Sequence, residues 1–342
     1  MSEPIPPPTA ATSEAMLARL LDVVSEQSVR LRQLEEALIH KRLTPAEMVA
    51  MSPHFQRNFL SNDDSAIQKN LVATWRLDPV VQLSAAELAG SGFRVFSQND
   101  EDGVLLRLFT HVGHTNRQVL EIGSNCAGSD VGIPENLSAN LIVNHGWHGM
   151  VLEMDGTECE TMRYFFAREH ATRHYHWERD GENTYFSPHI LQRMVTPLNI
   201  NALLAETGSA AEPDLMIIDI DGGDYPVIQA MHVIRPRVLV VEFEKRFRDR
   251  HSVVQFDREA FSKRWQQSGA ASLPAWEKLL ERRGYVMCAI GACGFNAFFV
   301  RADVAHGKLK PLAMTDAFDA HPIFSSVPDQ FWMEPDESWH PV

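Results

Sequence analysis

Gly284-Tyr-Val-Met-Cys-Ala-Ile290 and Asn296-Ala-Phe-Phe-Val-Arg301 are two apolar runs separated only by the few residues around Gly291 to Phe295. A right-handed crossover between parallel strands needs a dozen or more residues, so these two strands are expected to run antiparallel. Upstream, four more runs end near an acid or a glycine: Gln118-Val-Leu-Glu-Ile-Gly123, Gly149-Met-Val-Leu-Glu153, Asp214-Leu-Met-Ile-Ile-Asp219 and Arg237-Val-Leu-Val-Val-Glu-Phe243. Their apolar residues are consecutive rather than alternating, which suits parallel strands covered by helices on both faces. Helical stretches over 157–169 and 226–234 lie between them. The pattern predicts an α/β fold in which a mostly parallel sheet is finished by one antiparallel hairpin.

The rest of the chain bounds what such a sheet can serve. With 342 residues, 44% of them hydrophobic, one main domain with appendages is the expected organisation. A formal charge of −14 would repel a phosphate backbone, which argues against nucleic acid as a main partner. Residues 1–15 are rich in Pro and Ser/Thr and read as a disordered tail without a signal peptide. No apolar stretch approaches the length of a membrane span. Four cysteines, Cys126, Cys159, Cys288 and Cys293, are too few and too irregular for a disulfide framework or a zinc site. They fit a reducing compartment, and a cytoplasmic location is the expectation.

Residues 16–42 carry Leu17, Val24, Leu31 and Leu38 at strict sevens, with Leu20, Gln27 and Leu34 three places behind the first three. That is a short heptad seam with Gln27 as a polar break, and it predicts pairing of chains into a homo-oligomer. An amphipathic helix lying on its own domain shows nearly the same pattern, but charged residues crowd the remaining positions. Residues 43–95 weaken into short helical pieces, with capping boxes beginning at Thr44 and Ser84. Residues 96–305 hold the alternating pattern, and 306–342 form an irregular C-terminal extension.

In an open α/β sheet, ligands bind where the carboxyl ends of the central strands diverge. The first candidate there is Glu121-Ile-Gly123-Ser-Asn125-Cys-Ala-Gly128. It lacks G-x-G-x-x-G, and the acid at Glu121 suits a cationic amino acid group better than a pyrophosphate. Glu153 ends the next strand, where a carboxylate can accept from both hydroxyls of a ribose. Asp219-Ile-Asp221-Gly222-Gly223-Asp224-Tyr225-Pro226 is a strand end followed by a helix start. Asp224 reads as either an N-cap or a functional acid, while Asp219 and Asp221 lie at the reacting edge. Glu242 and Glu244 add acid there, and Asp219 with Glu242 could ligate a hard cation such as Mg²⁺. An acidic rim that orients a polyhydroxylated acceptor explains these acids equally well. The histidines show no metal-ligand spacing on a recognisable helix.

These residues resemble the FkbM-like group of class I methyltransferases, and particularly a bacterial branch of it. The resemblance covers roughly residues 96–303. It rests on Phe96-Ser97-Gln98-Asn-Asp-Glu101-Asp102-Gly103, Asn199-Ile200-Asn201-Ala-Leu-Leu, Ile218-Asp219-Ile-Asp221-Gly222-Gly223-Asp224-Tyr225, Gly269-Ala-Ala-Ser272-Leu273 and Asn296-Ala-Phe-Phe-Val-Arg301, in the family's order. The chain departs from the branch in a longer glycine loop through Cys126-Ala127, in Gly223 for an Asn, and in Glu244 for an Asn. The resemblance implies a Rossmann-like class I methyltransferase fold with a seven-stranded sheet, S-adenosylmethionine as cofactor, and methyl transfer, usually to oxygen. It would place Gly123 and Asn125 at the cofactor's amino acid end, Glu153 on its ribose and Asp219 at the transfer edge, with Gln98 and Asp102 as weaker lid candidates.

The expectation is therefore an O-methyltransferase acting on a small or glycan-type acceptor, with Asp219 and Asp221 as the catalytic acids. Two rivals stand beside it. One is an NAD-linked sugar-modifying enzyme, disfavoured by Glu121 and by the hairpin; the other is a non-catalytic coiled-coil scaffold with a degenerate methyltransferase domain.

Overall fold

The computed structural model describes residues 63–124, 135–173, 187–255 and 271–342. The heptad segment 16–42, the tail 1–15, the Thr44 capping box, Asn125, Cys126 and His174-Tyr-His176 lie outside the described residues.

The chain enters through α1 (Asp63–Arg76), α2 (Ala85–Ala89) and α3 (Glu101–Val112). Ser84 caps α2 by accepting from Glu87 N, and the Glu87 carboxylate accepts from Ser84 N, which completes the capping box expected there. Then β1 (Gln118–Ile122), α4 (Ala139–His145), β2 (His148–Glu153), α5 (Gly156–Arg173), β3 (His189–Gln192), α6 (Ile200–Glu206), β4 (Leu215–Ile218), α7 (Asp224–Ala230) and β5 (Val238–Glu242) alternate. After the two-residue β6 (Val253–Val254) come α8 (Leu273–Glu281), β7 (Tyr285–Ile290) and β8 (Asn296–Arg301).

Seven strands form one sheet in the order β3-β2-β1-β4-β5-β8-β7. β1 pairs in parallel with β2 and β4, β4 with β5, and β2 with β3, while β8 runs antiparallel to both β5 and β7. The hairpin is thus antiparallel, as the short connection requires. Every residue of β4, β5 and β8 is buried, which is why those runs are apolar at consecutive positions. One face places Val119, Ile217, Val240 and Phe298 against α3 and α5, and the other places Leu120, Met216, Leu239 and Phe299 with residues of α6, α7 and α8.

The order reverses direction between β1 and β4, so the loops after these strands splay apart and leave a crevice at their carboxyl ends. Residues 306–342 are more regular than expected. After α9 (Ala302–Ala305), they include α10 (Met314–Asp319) and β9 (His340–Pro341), which pairs with β6.

Candidate active site

A cleft of about 160 Å³ opens at the switch point. Gly123 and Ser124 after β1, Glu153 at the end of β2, Arg193 after β3, and Asp219 and Asp221 after β4 all line it. Gly123 has φ +88°, and a Cβ built on it would lie 1.6 Å from the carbonyl oxygen of Asp219. Only glycine lets the two strand ends approach this closely. The Gly123 N–H donates to Leu152 O at 3.0 Å, and Asp219 N–H to Ile122 O at 2.9 Å, so the ends of β1, β2 and β4 are tied together.

Glu153 is buried, and its carboxylate accepts from Ser124 N at 3.1 Å and Asp155 N at 2.7 Å. Each oxygen keeps a second lone pair, so a diol in the cleft can still be bound.

The acidic edge is built by β4, β5 and the loop after β4. Asp219 and Asp221 are exposed and Glu242 is buried, with one carboxylate oxygen from each lying within 4.8 Å of the others. Burial of the carboxyl, then the charges of Asp224 and Asp221, push Asp219 up to about 7. Although the residue as a whole is exposed, its acid group stands among other carboxylates. Burial and the neighbouring charge of Asp219 hold Glu242 well above the usual carboxylate range, and the two side chains hydrogen-bond to each other. Two carboxyls so placed disfavour ionising together.

Asp221 occupies the left-handed region at φ +53°, followed by Gly222 at +109° and Gly223 at +95°. Strained backbone of this kind concentrates at functional sites, where the surrounding structure holds it.

Three acids weighed in the sequence do not line the cleft and have partners in the framework. Glu121 does not line the cleft: its oxygens accept from Leu137 N at 3.0 Å, Ser138 N at 3.2 Å and the Ser138 hydroxyl, bracing the start of α4. Burial pushes it up to about 7. Asp224 is not the N-cap, which is Gly223; as the first helical residue it closes the loop, accepting from Ile220 N at 2.9 Å and Gly222 N at 3.1 Å. Glu244 is buried and paired with Arg246 at 2.7 Å, so it adds no open acid to the edge.

The Ser97-to-Gly103 lead-in is also a framework. Asp102 accepts from Val95, Phe96 and Ser97 N–H groups at 2.7 to 2.8 Å, and Glu101 accepts from the Asn296 amide at 3.1 Å. A Cβ on Gly103 would meet Phe93 N and Ser91 O at 2.3 Å. Gln98 is exposed and does not line the cleft. The structure therefore brings Gly123, Glu153, Asp219 and Asp221 together, with Glu242 beside them, and leaves Gln98 and Glu121 outside. Arg193 was not anticipated, because β3 is only four residues long and shows no apolar run.

Comparison with known proteins gives one family match. Residues 133–287 fit the methyltransferase FkbM domain. Among solved structures, the chain is similar to an O-methyltransferase from Bacillus cereus in complex with SAH, at 16% identity, covering 70% of this chain and 90% of that chain with a TM-score of 0.34. No curated protein matches it. Among the described residues no helix is long and apolar enough to cross a membrane. The segment 133–287, a little under half of the chain, is thus similar to the methyltransferase FkbM domain, and it lies within an α/β fold whose seven-stranded, mostly parallel sheet is finished by an antiparallel hairpin.

Proposed function

We propose that the protein is an S-adenosylmethionine-dependent O-methyltransferase whose acceptor is a hydroxyl of a sugar or glycan-type polyol. The observation that carries this reading is the convergence of Gly123, Glu153 and Asp219 on one cleft at the switch point of an FkbM-like domain. The residues fit the cofactor. Gly123 leaves the β1 end of the cleft without a side chain, and Glu153 offers a carboxylate at the strand end where a ribose is recognised. When bound, S-adenosylmethionine supplies an electrophilic methyl group on a sulfonium.

The chain's own task is alignment. Asp219 and Asp221 line the cleft after β4, and Glu153 lines it at the end of β2, with β1 between the two strands. A methyl group passes from sulfur to oxygen in line, so the acceptor must be held on the side of the acidic edge. Transfer to oxygen would release the hydroxyl proton, which a carboxylate of the acidic edge or water would take up. Asp219, whose carboxyl is raised by burial and by the charges of Asp224 and Asp221, is placed at the edge where that proton would be received. Asp221, beside two glycines that leave room for a bulky ring, orients the polyol by accepting from its hydroxyls.

Residues 96–305 constitute the catalytic unit in this reading, residues 16–42 pair chains, and the enzyme works in the cytoplasm on a small or glycan-type acceptor. Incubation with methyl-labelled S-adenosylmethionine and a native cell extract tests the activity. Label recovered in a base-stable, glycan-containing product supports it, and the absence of any labelled product counts in favour of a non-catalytic scaffold.

A further inference from the structure

We propose that a cavity remote from the cleft, between α1, α3 and α4 at the start of β1, is a second binding site, for a phosphorylated small molecule of the nucleoside diphosphate type. Its volume is about 470 Å³. Arg117, which lines it, precedes β1, and Gly123 of the cleft follows that strand. The five residues of β1, roughly 17 Å at about 3.3 Å each, therefore separate the two sites. The inference is independent of what the cleft binds.

The helices present one face each to the cavity. In α1, Lys69, Val72, Ala73 and Arg76 recur at i, i+3, i+4 and i+7, and in α3 Leu106, Phe109 and Thr110 begin the same spacing. α1 thus supplies charge and α3 an apolar wall, which Leu141 of α4 and Trp147 extend. The walls are fixed in place. Gln68 and Asn140, both buried, exchange amide hydrogen bonds at 3.0 and 2.9 Å and pin α1 to α4. Phe109 meets Trp147 edge to face with ring centres 4.6 Å apart. A preformed cavity of this kind costs a ligand little ordering.

The chemistry of the lining selects the ligand. On a chain with 45 acidic and 31 basic residues, Lys69, Arg76 and Arg117 line this cavity together with His114 and His145, and among the described residues no Asp or Glu lines it. Asp214 lies buried against the Arg237 guanidinium at 2.6 Å and accepts from the N–H groups of Thr115, Asn116 and Arg117. Those bonds hold Arg117 in the left-handed region at φ +53°. Burial, then the Arg117 charge, hold His114 below the usual imidazole range, with Arg237 and Arg76 acting in the same sense and Asp214 opposing them. Cations gathered over apolar walls focus a positive field. Guanidinium groups take phosphate oxygens two at a time, and an ammonium adds a point charge. A phosphate group alone would fill a small part of the volume, and Val72, Leu106 and Leu141 offer apolar surface to the rest of the ligand.

The test is calorimetric titration of the full-length protein with uridine diphosphate, with uridine as the uncharged control, in the absence and in the presence of excess S-adenosylhomocysteine. The expected result is one saturable equivalent of uridine diphosphate under both conditions and no binding of uridine. Affinity should be at least about tenfold weaker in Arg76→Gln and in Arg117→Asn. Arg76 is exposed on α1, and Asn suits the left-handed backbone at position 117, so both variants keep the fold. No saturable binding of uridine diphosphate, equal binding of uridine, displacement by S-adenosylhomocysteine, or an affinity that both variants leave unchanged overturns the site.

Discussion

Gly123 and Asp219 touch backbone to backbone: the place where a side chain would begin on residue 123 is filled by the carbonyl oxygen of Asp219, 1.6 Å away. This contact ties the end of β1 to the end of β4 beside the cleft that both residues line. Gly123→Ala therefore has to displace the β4 terminus as well as adopt φ +88°. A loss of about 2–4 kcal/mol in unfolding free energy is expected. Urea denaturation of the variant checks it, and an unchanged midpoint would mean that the strand ends are free to part.

Glu153 is the predicted ribose contact. Glu153→Ala should weaken S-adenosylhomocysteine binding by about 1.5–3 kcal/mol, because two hydrogen bonds to a charged acceptor are lost. Calorimetry reads the change directly. Equal affinity in variant and wild type would remove Glu153 from the cofactor site.

Asp221 should act on the acceptor and leave the cofactor alone. Asp221→Asn suits its left-handed backbone, since Asn tolerates that region well. Cofactor affinity should persist while turnover falls roughly 10²-fold, the scale of losing a proton-accepting or orienting acid. Methylation of the native acceptor at the wild-type rate would make Asp221 structural.

Glu121 gives a pH signature separate from catalysis. Burial raises its carboxyl from 4.5 to about 7, so the folded state binds the proton more tightly than the unfolded state does. Its contribution to stability is complete below pH 4.5 and is lost as pH rises through 7. The slope is at most about 1.4 kcal/mol per pH unit for one proton. Relative to Glu121→Gln, the wild-type protein should lose stability across that window. Urea midpoints that keep a constant difference at every pH would show that Glu121 does not titrate there.

The heptads at Leu17, Val24, Leu31 and Leu38 predict that removing residues 1–42 lowers the oligomeric state while leaving a cofactor-binding domain. Light scattering decides it. The same state before and after removal would favour a helix packed within its own chain.

Much of the fold was legible because burial on both faces leaves a direct mark on sequence. Val238 to Val241 and Leu215 to Ile218 are buried at every position and apolar at every position. β3 left no such mark. Only Ile190 of its four residues is buried, so the sheet's edge strand was not read from residues. The site was legible where backbone chemistry is specific, at Gly123 and at Asp221-Gly222-Gly223. Among acids it was not, since a carboxylate that braces a loop looks the same in sequence as one that meets a ligand. Glu121, Asp224 and Glu244 are told from Asp219 and Glu153 by the cleft, which the latter two line and the former three do not.

The central claim is that this cleft binds S-adenosylmethionine, and calorimetric titration of the full-length protein with S-adenosylhomocysteine and with NAD tests it most directly. The account predicts saturable binding of S-adenosylhomocysteine at one per chain, weakened in Glu153→Ala, and no binding of NAD. Saturable binding of NAD with none of S-adenosylhomocysteine would contradict it.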